Sequence, residues 1–400
     1  MHREDFPMIK NNIVYFDSGA TTFKPQVVID SITDYYQNYC ANAHRGDYHI
    51  SQIASSKFEK TREIIKNFIN SKNTSEIVFT SGNTESINLV VFGYFRHQLK
   101  SGDEVLITKS EHASNVLPWF VLEKEIGIKV KYIKLDENKE LTIDNLEESI
   151  TPNTKVISIA HITNVVGDIR DIKSICALAH KHNILVLVDG AQAIAHTKVD
   201  VQMLDADFYT FSSHKIYGPT GVGILYGKYE LLNKILPINY GGGGGMNPLF
   251  EHDGYYELKS LPHRLEAGTP NIAGVIGLGS AIEYVNNIGI DNIIKYEEEL
   301  KKYLLEKLKE LDFITIYNAN SKGPVVAFNI KGVFSQDASV YLDKYNICIR
   351  AGNHCTKMLK DEINIKNTCR ISLALYNNKE EIDLLINVLK NSKNIWKEIL

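Results

Sequence analysis

The sequence lacks a hydrophobic run long enough to cross a membrane, and it is poor in cysteine. Its longest apolar runs, such as residues 184–188, are far shorter than the roughly 20 residues of a membrane-spanning helix. The opening residues, MHREDFPMIKNN, contain no apolar stretch behind a basic head, so no signal peptide is expected. Only 5 of 400 residues are cysteine, and the absence of a CxxC pair argues against disulfide scaffolds and zinc knuckles. We expect reduced thiols, no bound metal and a cytoplasmic protein.

A large excess of one charge is also missing. Lysine and arginine number 44 against 48 acidic residues, a net charge of −4 without long blocks of one sign. Nucleic acids and anionic membranes attract strongly basic surfaces, so we expect neither as a partner. The composition, with 44% hydrophobic and 23% charged residues, is typical of globular proteins, and the length suits two or three domains.

Seven short β-rich runs alternate with helical stretches such as 171–182 over the first two thirds of the chain. The runs are residues 76–80, 104–108, 129–134, 156–160, 185–189, 208–211 and 223–226. Nearly all-apolar strands separated by helices are typical of a mainly parallel sheet covered on both faces. The pattern therefore predicts an α/β fold. The glycine run at 241–245 is the one low-complexity tract.

The pattern of apolar and charged residues changes near residue 291. A charged amphipathic helix is predicted over residues 291–311. The remaining predicted elements are strands near 325–330, 348–350 and 368–374, together with helices at 336–345 and 379–400. This pattern predicts a compact α+β unit. We expect residues 21–290 to form the large domain and residues 291–400 the small one, with residues 1–20 packed against the small domain.

Polar residues follow several of the predicted strands, where ligands of open α/β sheets bind. The turn around Gly82 and Asn83 precedes a helix whose first N–H groups can hold an anion. By itself this turn is more typical of an ordinary helix cap. It matches neither the P-loop nor the GxGxxG pattern, which argues against a dehydrogenase.

Asp189 and Lys215 follow two predicted strands and lie 26 positions apart. Taken singly, a capping carboxylate and a surface lysine are the more common interpretations. Together they suit one ligand, because a buried lysine is a nucleophilic amine and a buried carboxylate needs a cation. Pyridoxal phosphate offers an aldehyde and a protonated pyridine nitrogen to such a pair, and the Gly82–Thr84 turn, Ser212 and His214 are candidates for its phosphate.

Four motifs then resemble the signatures of cysteine desulfurases, a group of fold-type I, class V aminotransferase-like enzymes, and are closest to the Suf-type group. The motifs are Asp189-Gly-Ala-Gln192, Ser212-x-His214-Lys215, Glu266-Ala-Gly-Thr-Pro-Asn271 and Arg350-x-Gly-x-His354-Cys355. The resemblance extends from Tyr15 to Ser372. It implies a large domain with a mainly parallel seven-stranded sheet and a smaller α+β C-terminal domain that carries the catalytic cysteine.

The resemblance also implies the site residues. Lys215 would carry pyridoxal 5′-phosphate as a covalent aldimine, with Asp189 on the pyridine nitrogen. His112 would stack on the ring and carry protons, and Arg370, together with Asn164, would bind the substrate carboxylate. The remaining cofactor contacts would be Asn164 and Gln192 at the ring hydroxyl, and Asn83, Thr84, Ser212, His214 and Thr269 at the phosphate. Thr269 would reach in from a second subunit, which implies a homodimer.

Cys355 decides the expected reaction. Its polar, glycine-containing loop suits a reactive thiol, and nearby His354 and Arg350 are expected to favour the thiolate. Cys40, Cys176 and Cys348 are interpreted as small core residues. The resemblance implies that Cys355 takes sulfur from L-cysteine as a persulfide, that alanine is released, and that the sulfur passes to a Suf-type acceptor protein for iron–sulfur cluster assembly.

Two kinds of alternative share these features. A selenocysteine lyase, an amino-acid epimerase or another class V aminotransferase-like enzyme would use the same cofactor residues and differ at the Cys355 loop. A non-catalytic sulfur carrier or scaffold would need no cofactor. Three positions depart from the usual pattern, namely Ser213, Asn353 and the Thr356–Met358 stretch, and no long insertion is evident near Cys355.

Overall fold

The computed structural model describes residues 2–242, 246–247 and 257–399. Residues 243–245 of the glycine run, Met1 of the predicted N-terminal segment and Leu400 of the predicted last helix lie outside the described residues. Within the described part, no helix combines the length and apolar character needed to span a bilayer.

The strands and helices follow in chain order. The strands are β1 (Val14–Tyr15), β2 (Ile77–Thr80), β3 (Glu104–Ile107), β4 (Lys129–Tyr132), β5 (Thr154–Ala160), β6 (Leu185–Asp189), β7 (Phe208–Ser212), β8 (Gly223–Gly227), β9 (Met246–Asn247), β10 (Glu257–Leu258), β11 (Ile314–Ile316), β12 (Val325–Ile330), β13 (Ile347–Cys348), β14 (Arg350–Gly352) and β15 (Thr368–Ser372). The helices are α1 (Gln26–Asn38), α2 (His49–Phe68), α3 (Asn83–Val90), α4 (Arg96–Gln98), α5 (Leu117–Ile126), α6 (Ile143–Ser149), α7 (Ile172–Lys181), α8 (Val201–Leu204), α9 (Tyr229–Leu232), α10 (Ile272–Ile288), α11 (Ile290–Lys309), α12 (Ser335–Asp343), α13 (Lys360–Ile363) and α14 (Lys379–Ile399).

A seven-stranded sheet in the order β2-β8-β7-β6-β5-β3-β4 forms the centre of the fold. Strand β8 runs antiparallel to its neighbours β2 and β7, and every other neighbouring pair is parallel. The seven predicted runs are these seven strands, so the predicted α/β fold with a mainly parallel sheet is confirmed.

Both faces of this sheet are buried, because side chains alternate between two hydrophobic cores. In β6, Val186 and Val188 join the core that also contains Phe58 and Ile282, whereas Leu187 joins the core around Trp119. Such alternation with apolar residues on both sides explains why the strands are continuous apolar runs in the sequence. Helices α1, α2 and α10 pack together over the first face.

A second sheet, in the order β11-β12-β15-β14, is antiparallel and has its own hydrophobic core with side chains of α11, α12 and α14. The single strand predicted near 348–350 is two strands with different partners: β13 pairs with β1, and β14 pairs with β15. Strand β11 was not predicted, because its three residues are only half-buried and form too short a run to recognise. The exact domain boundaries stay predictions.

Candidate active site

A cavity of about 230 Å³ lies at the carboxyl ends of the central strands, and β14, β15 and the loop after β14 contribute to its wall. Eleven of the twelve predicted site residues line it: Asn83, Thr84, His112, Asn164, Asp189, Gln192, Ser212, His214, Lys215, Cys355 and Arg370. Thr269, the twelfth, lines a different depression of the surface, next to Pro270 and Asn271.

The sheet topology explains why distant residues meet here. Asn83 and Thr84 begin the helix after β2, and His112 follows β3. Asn164, Asp189 and Lys215 lie at or after the ends of β5, β6 and β7, so they share the same edge of the sheet. Cys355 and Arg370 come from the loop after β14 and from β15. Strands that run parallel bring their carboxyl ends together, and this edge is where ligands of such sheets bind.

Asp189 is a buried carboxylate that lacks a cation at bonding distance among the described residues. Its Oδ1 accepts hydrogen bonds from the Asn83 side-chain Nδ2 and from the Ala191 N–H, both at 2.9 Å. Burial raises the pKa of Asp189, and the charge of Lys215 offsets part of that increase. The Asn83 side chain thus orients Asp189, and its contact with a phosphate stays a prediction.

Lys215 lies in the turn after β7, and its side chain is half-buried in the wall of the cavity. Burial lowers its pKa from 10.5 to about 8, while the carboxylate of Asp189 acts in the opposite direction. Within the described part of the chain, Nζ has no hydrogen-bond or ion-pair partner. A buried amine with a lowered pKa is partly unprotonated near neutral pH, which makes it a competent nucleophile.

His112 and its neighbour Ser114 link two turns of the site. The Ser114 N–H donates to His112 Nδ1 at 3.2 Å, and Ser114 Oγ lies 2.8 Å from Thr84 Oγ1. Burial, followed by the nearby charge of Lys215, lowers the pKa of His112 to about 4. The ring is therefore uncharged at neutral pH, and its proton resides on Nε2 because Nδ1 accepts a hydrogen bond. Ser114 was missed by sequence reasoning, although it follows His112 closely.

The end of the cavity next to Lys215 contains Ser212, His214 and Gln192. Ser212 Oγ accepts the Asn83 backbone N–H at 2.8 Å, and Gln192 Nε2 donates to Gly19 O at 2.9 Å. The pKa of His214 is lowered to about 4 by burial and then by the charge of Lys215. These groups line the cavity together, as the sequence predicts.

Arg370 is buried beneath the cavity and held in place by the N-terminal segment. It donates through Nη1 to Asn164 O at 3.0 Å and through Nη2 to Asp17 Oδ1 at 2.8 Å, while Nε is buried without a hydrogen-bond partner. Gly19 permits this arrangement, because a Cβ at that position would come within 3.0 Å of Nη2. The role of Asp17 was not predicted, since 353 positions separate it from Arg370.

The Cys355 loop, defined here as residues 353–356, is docked against the central sheet. The Ala113 N–H donates to Cys355 O at 2.8 Å, and Asn164 Nδ2 donates to His354 O at 2.8 Å. Thr356 Oγ1 donates to Asn164 Oδ1, also at 2.8 Å. The Cys355 side chain itself is exposed and lines the cavity.

The expectation that His354 favours the Cys355 thiolate is wrong. His354 is 5% exposed, and its Nε2 lies 3.0 Å from Thr368 O. Burial, together with the charge of Arg370, lowers its pKa to about 3, so the ring carries no positive charge at neutral pH. The cationic groups that line the cavity with Cys355 are Lys215, Arg350 and Arg370.

The core assignment of the other cysteines is right for Cys176 and wrong for Cys40. Cys176 is fully buried in the sheet's core, whereas Cys348 is half-buried. Cys40 is exposed although its neighbours Tyr39 and Ala41 are buried, because its side chain lies on the solvent side of the segment after α1. An apolar neighbourhood in the sequence does not distinguish these positions.

Two clusters of buried ion pairs lie behind the site. Arg170 contacts Glu111 and Asp168, and Glu111 also accepts the Asn115 side chain and the Ala160 N–H. This cluster fixes the turn that carries His112. Glu266 of the Glu266–Asn271 motif pairs with Arg62 and accepts the Phe79 N–H at 2.7 Å, so its observed contacts are structural.

No group of three or more metal-ligating side chains occurs among the residues that the structure describes. The groups available around this one cavity are a nucleophilic lysine, a buried carboxylate, an uncharged histidine, a buried arginine and an exposed thiol, namely Lys215, Asp189, His112, Arg370 and Cys355.

Comparisons with known proteins agree with this geometry. The family model "Aminotransferase class-V" matches residues 14–385. A protein of Halalkalibacterium halodurans named "Probable cysteine desulfurase" is 41% identical over 401 residues, covering 98% of both chains.

Two solved structures share the fold over almost the whole chain. The apo cysteine desulfurase of Thermococcus onnurineus has a TM-score of 0.92 and 36% identity, covering 97% of this chain and 96% of its own. The cysteine desulfurase CsdA of Escherichia coli, in an S-sulfonic acid form, has a TM-score of 0.92 and 35% identity, with 98% of both chains covered.

Proposed function

The chain belongs to the class-V aminotransferase family, and from this premise we propose that it is a pyridoxal-phosphate-dependent cysteine desulfurase. One observation carries the proposal: Lys215, Asp189 and the exposed thiol of Cys355 line the same cavity. An enzyme of this family that lacked sulfur chemistry would not need an exposed thiol in the same cavity as its lysine. The cysteine desulfurase names of the relatives support the same assignment.

The cavity fits pyridoxal phosphate. Asp189 has a pKa raised by burial and lacks a cation at bonding distance within the described structure, which a protonated pyridine nitrogen would supply. Asn83 Oδ1 and Arg370 Nε are buried without hydrogen-bond partners, so polar groups remain for a ligand to satisfy. When bound, this cofactor acts as an electron sink for the pair left at the substrate Cα.

Lys215 performs two tasks in this proposal. Its amine binds the cofactor aldehyde covalently, which requires the unprotonated form that the lowered pKa provides. As a free amine, Lys215 would lie beside the bound L-cysteine and accept its Cα proton. Asp189 would hold the pyridine nitrogen in its protonated form, and Gln192 and Asn164 would contact the ring hydroxyl.

The phosphate and the ring have separate proposed partners. Asn83, Thr84, Ser212 and His214 bind the phosphate, with Thr269 of a second subunit. His112 lies on the ring, and its uncharged imidazole places no positive charge against a cationic pyridine. Because the Ser114 amide occupies Nδ1, proton transfer falls to His112 Nε2.

Arg370 binds the substrate carboxylate, and Cys355 receives the sulfur. The Cys355 thiolate attacks the sulfur of the bound cysteine, so an S–S bond forms while the substrate's C–S bond breaks. The electron pair of that bond stays with the substrate carbon, which is protonated, and alanine leaves. Arg350 and Arg370 line the same cavity as Cys355.

The persulfide on Cys355 then requires an acceptor. We propose a Suf-type acceptor protein and iron–sulfur cluster assembly as its destination, on the strength of the sequence motifs. A homodimer follows from the proposed role of Thr269, which lies away from the cavity of its own chain. The domain limits at residues 20 and 290 are part of the same proposal.

The test compares wild-type protein with Lys215→Ala and Cys355→Ser. We expect purified wild-type protein to be yellow with pyridoxal phosphate, and L-cysteine to change its visible spectrum and yield alanine and sulfide under reductant. Lys215→Ala should lose the spectral response and the turnover. Cys355→Ser should keep the response to L-cysteine and lose turnover.

Cys40→Ser is the matched control, because Cys40 is also exposed but lies outside the cavity. It should behave as wild type. Wild-type turnover in Cys355→Ser would contradict the desulfurase assignment, and a protein that is indifferent to pyridoxal phosphate would contradict the whole proposal.

A further inference from the structure

The Cys355 loop adopts a backbone conformation that its residues do not favour by themselves. His354 and Cys355 both have positive φ angles, 52° and 57°, in two successive residues that are not glycine. This left-handed region is sparsely populated by such residues and persists only where the surroundings impose it. The contacts that hold the loop therefore determine where the thiol of Cys355 lies.

Asn353 accepts two of the hydrogen bonds that hold the Cys355 loop in this conformation. Its side-chain Oδ1 accepts the Cys355 N–H at 3.1 Å, and its backbone carbonyl accepts the Thr356 N–H at 2.8 Å. These bonds shape the loop internally but do not attach it to the rest of the protein. One attachment comes from the small sheet, because His354 Nε2 lies 3.0 Å from Thr368 O in β15. The other attachments come from the turns at the edge of the central sheet.

Asn164 supplies such a contact with both ends of its side-chain amide. Nδ2 donates to His354 O, and Oδ1 accepts the hydroxyl of Thr356, each at 2.8 Å. Asn164 also lines the cavity, and 192 positions separate it from Thr356. Both side chains are buried, so water cannot readily replace the hydroxyl if the bond is lost.

We propose that Thr356 is a positioning residue for Cys355, which acts through its hydroxyl bond to Asn164 and keeps the loop docked at the cavity. This assignment deepens the proposed function and rests on it, because docking places the Cys355 thiol where the substrate sulfur would be. The hydroxyl is the essential group, since it pairs Asn164 Oδ1 and thereby fixes the amide that also binds His354 O.

The Ala113 N–H reports docking directly, because its acceptor is the carbonyl of Cys355 itself. Hydrogen exchange by mass spectrometry on the protein with pyridoxal phosphate bound measures this amide in peptides covering residues 110–116. In Thr356→Val the hydroxyl becomes a methyl of similar size, and we expect exchange there to be about fivefold faster, which corresponds to the loss of one buried hydrogen bond.

Thr356→Ser keeps the hydroxyl and is the matched control, with exchange within about twofold of wild type by the same reasoning. Peptides covering β6 serve as an internal reference and should not change in either variant. If Thr356→Val does not fold, Thr356→Ala provides the same loss of the hydroxyl with less crowding.

Equal exchange in Thr356→Val and wild type would overturn the proposal, as would a Thr356→Ser variant that behaves like Thr356→Val. A change that extends to β6 would also overturn it, because the effect would then be general destabilisation. Exchange does not depend on turnover. If wild-type protein fails to convert L-cysteine, the proposed function is wrong while the exchange result still decides the role of Thr356.

Discussion

Burial lowers the pKa of several ionisable side chains of the cavity, among them Lys215, to about 8, and His112 and His214, to about 4. The consequence differs between them. Both histidines are uncharged across the neutral range, whereas Lys215 changes its charge within it. The single group of this set that titrates near physiological pH is therefore the proposed nucleophile.

The rate at which the apoprotein takes up pyridoxal phosphate should follow the titration of Lys215. Below pH 8 an increasing share of the amine is protonated and unreactive, so the rate should rise with pH and level off above a midpoint near 8. Stopped-flow absorbance at the wavelength of the bound cofactor measures this. Asp189→Asn removes the carboxylate that raises the lysine's pKa, so its midpoint should be lower. A rate that is flat from pH 6.5 to 9 would contradict the assignment.

Arg370→Lys should weaken substrate binding more than it slows the reaction. Lysine replaces a planar donor that is fixed by Asp17 and Asn164 with a single flexible point charge. We expect KM for L-cysteine to rise about tenfold, the order expected for losing a charged hydrogen bond, with a smaller change in kcat. Steady-state alanine production gives both constants.

Arg264→Lys is the comparison for that variant. Arg264 donates to Leu232 O and does not line the cavity, so its KM should equal that of wild type. An equal rise in KM in both variants would point to a general effect of replacing arginine.

At the scale of elements, the turn after β3 depends on a buried charge cluster. Arg170 lies in the loop before α7 and contacts Glu111 and Asp168, and its side chain is completely buried. Its guanidinium also donates to Thr108 Oγ1 and Ser110 Oγ in the same turn. Removing it would leave two carboxylates buried without their cation, which is far more costly than the pair is stabilising.

Arg170→Leu should therefore lower the free energy of unfolding by about 3–5 kcal/mol. Guanidinium chloride unfolding, followed by circular dichroism, measures the difference. Arg96→Leu is matched to it, because Arg96 also pairs with a glutamate but both partners are exposed, and its loss should cost less than about 1 kcal/mol. Similar losses in the two variants would show that burial of the Arg170 cluster is not what stabilises the turn.

At the scale of the whole molecule, the position of Thr269 predicts a shared site. Its hydroxyl accepts a hydrogen bond from Asn42 Nδ2 at 3.4 Å at the surface, outside the cavity that holds Lys215. In the proposed homodimer, this surface threonine would contribute to the phosphate site of the other subunit.

A mixed dimer of one Lys215→Ala chain and one Thr269→Ala chain should therefore contain one intact site. The site with the native lysine would receive its threonine from the other chain. We expect the site with the native lysine to bind pyridoxal phosphate with wild-type affinity. The Thr269→Ala homodimer should bind it about tenfold more weakly, because each of its sites lacks one hydrogen bond to a charged group. Spectroscopic titration of differently tagged, co-purified chains measures this. If Thr269 served its own chain, the mixed dimer would bind as weakly as the Thr269→Ala homodimer.

The sequence by itself determined the seven central strands and the residues at their carboxyl ends. All of these strands except the edge strand β4 are largely buried, so their apolar runs are visible without any partner, and Asp189, Lys215 and His112 follow such runs. The topology of parallel strands then places these residues at one edge. Local patterns suffice wherever the physical cause is local.

Only the tertiary structure decided how the side chains are paired. Asp17 with Arg370 and Asn164 with Thr356 are joined across 353 and 192 positions, and the pattern of neither segment indicates its partner. The uncharged state of His354 and the exposure of Cys40 were misjudged for the same reason. Charge state and accessibility depend on burial by residues far away in the chain, and that burial exists only once the chain has folded.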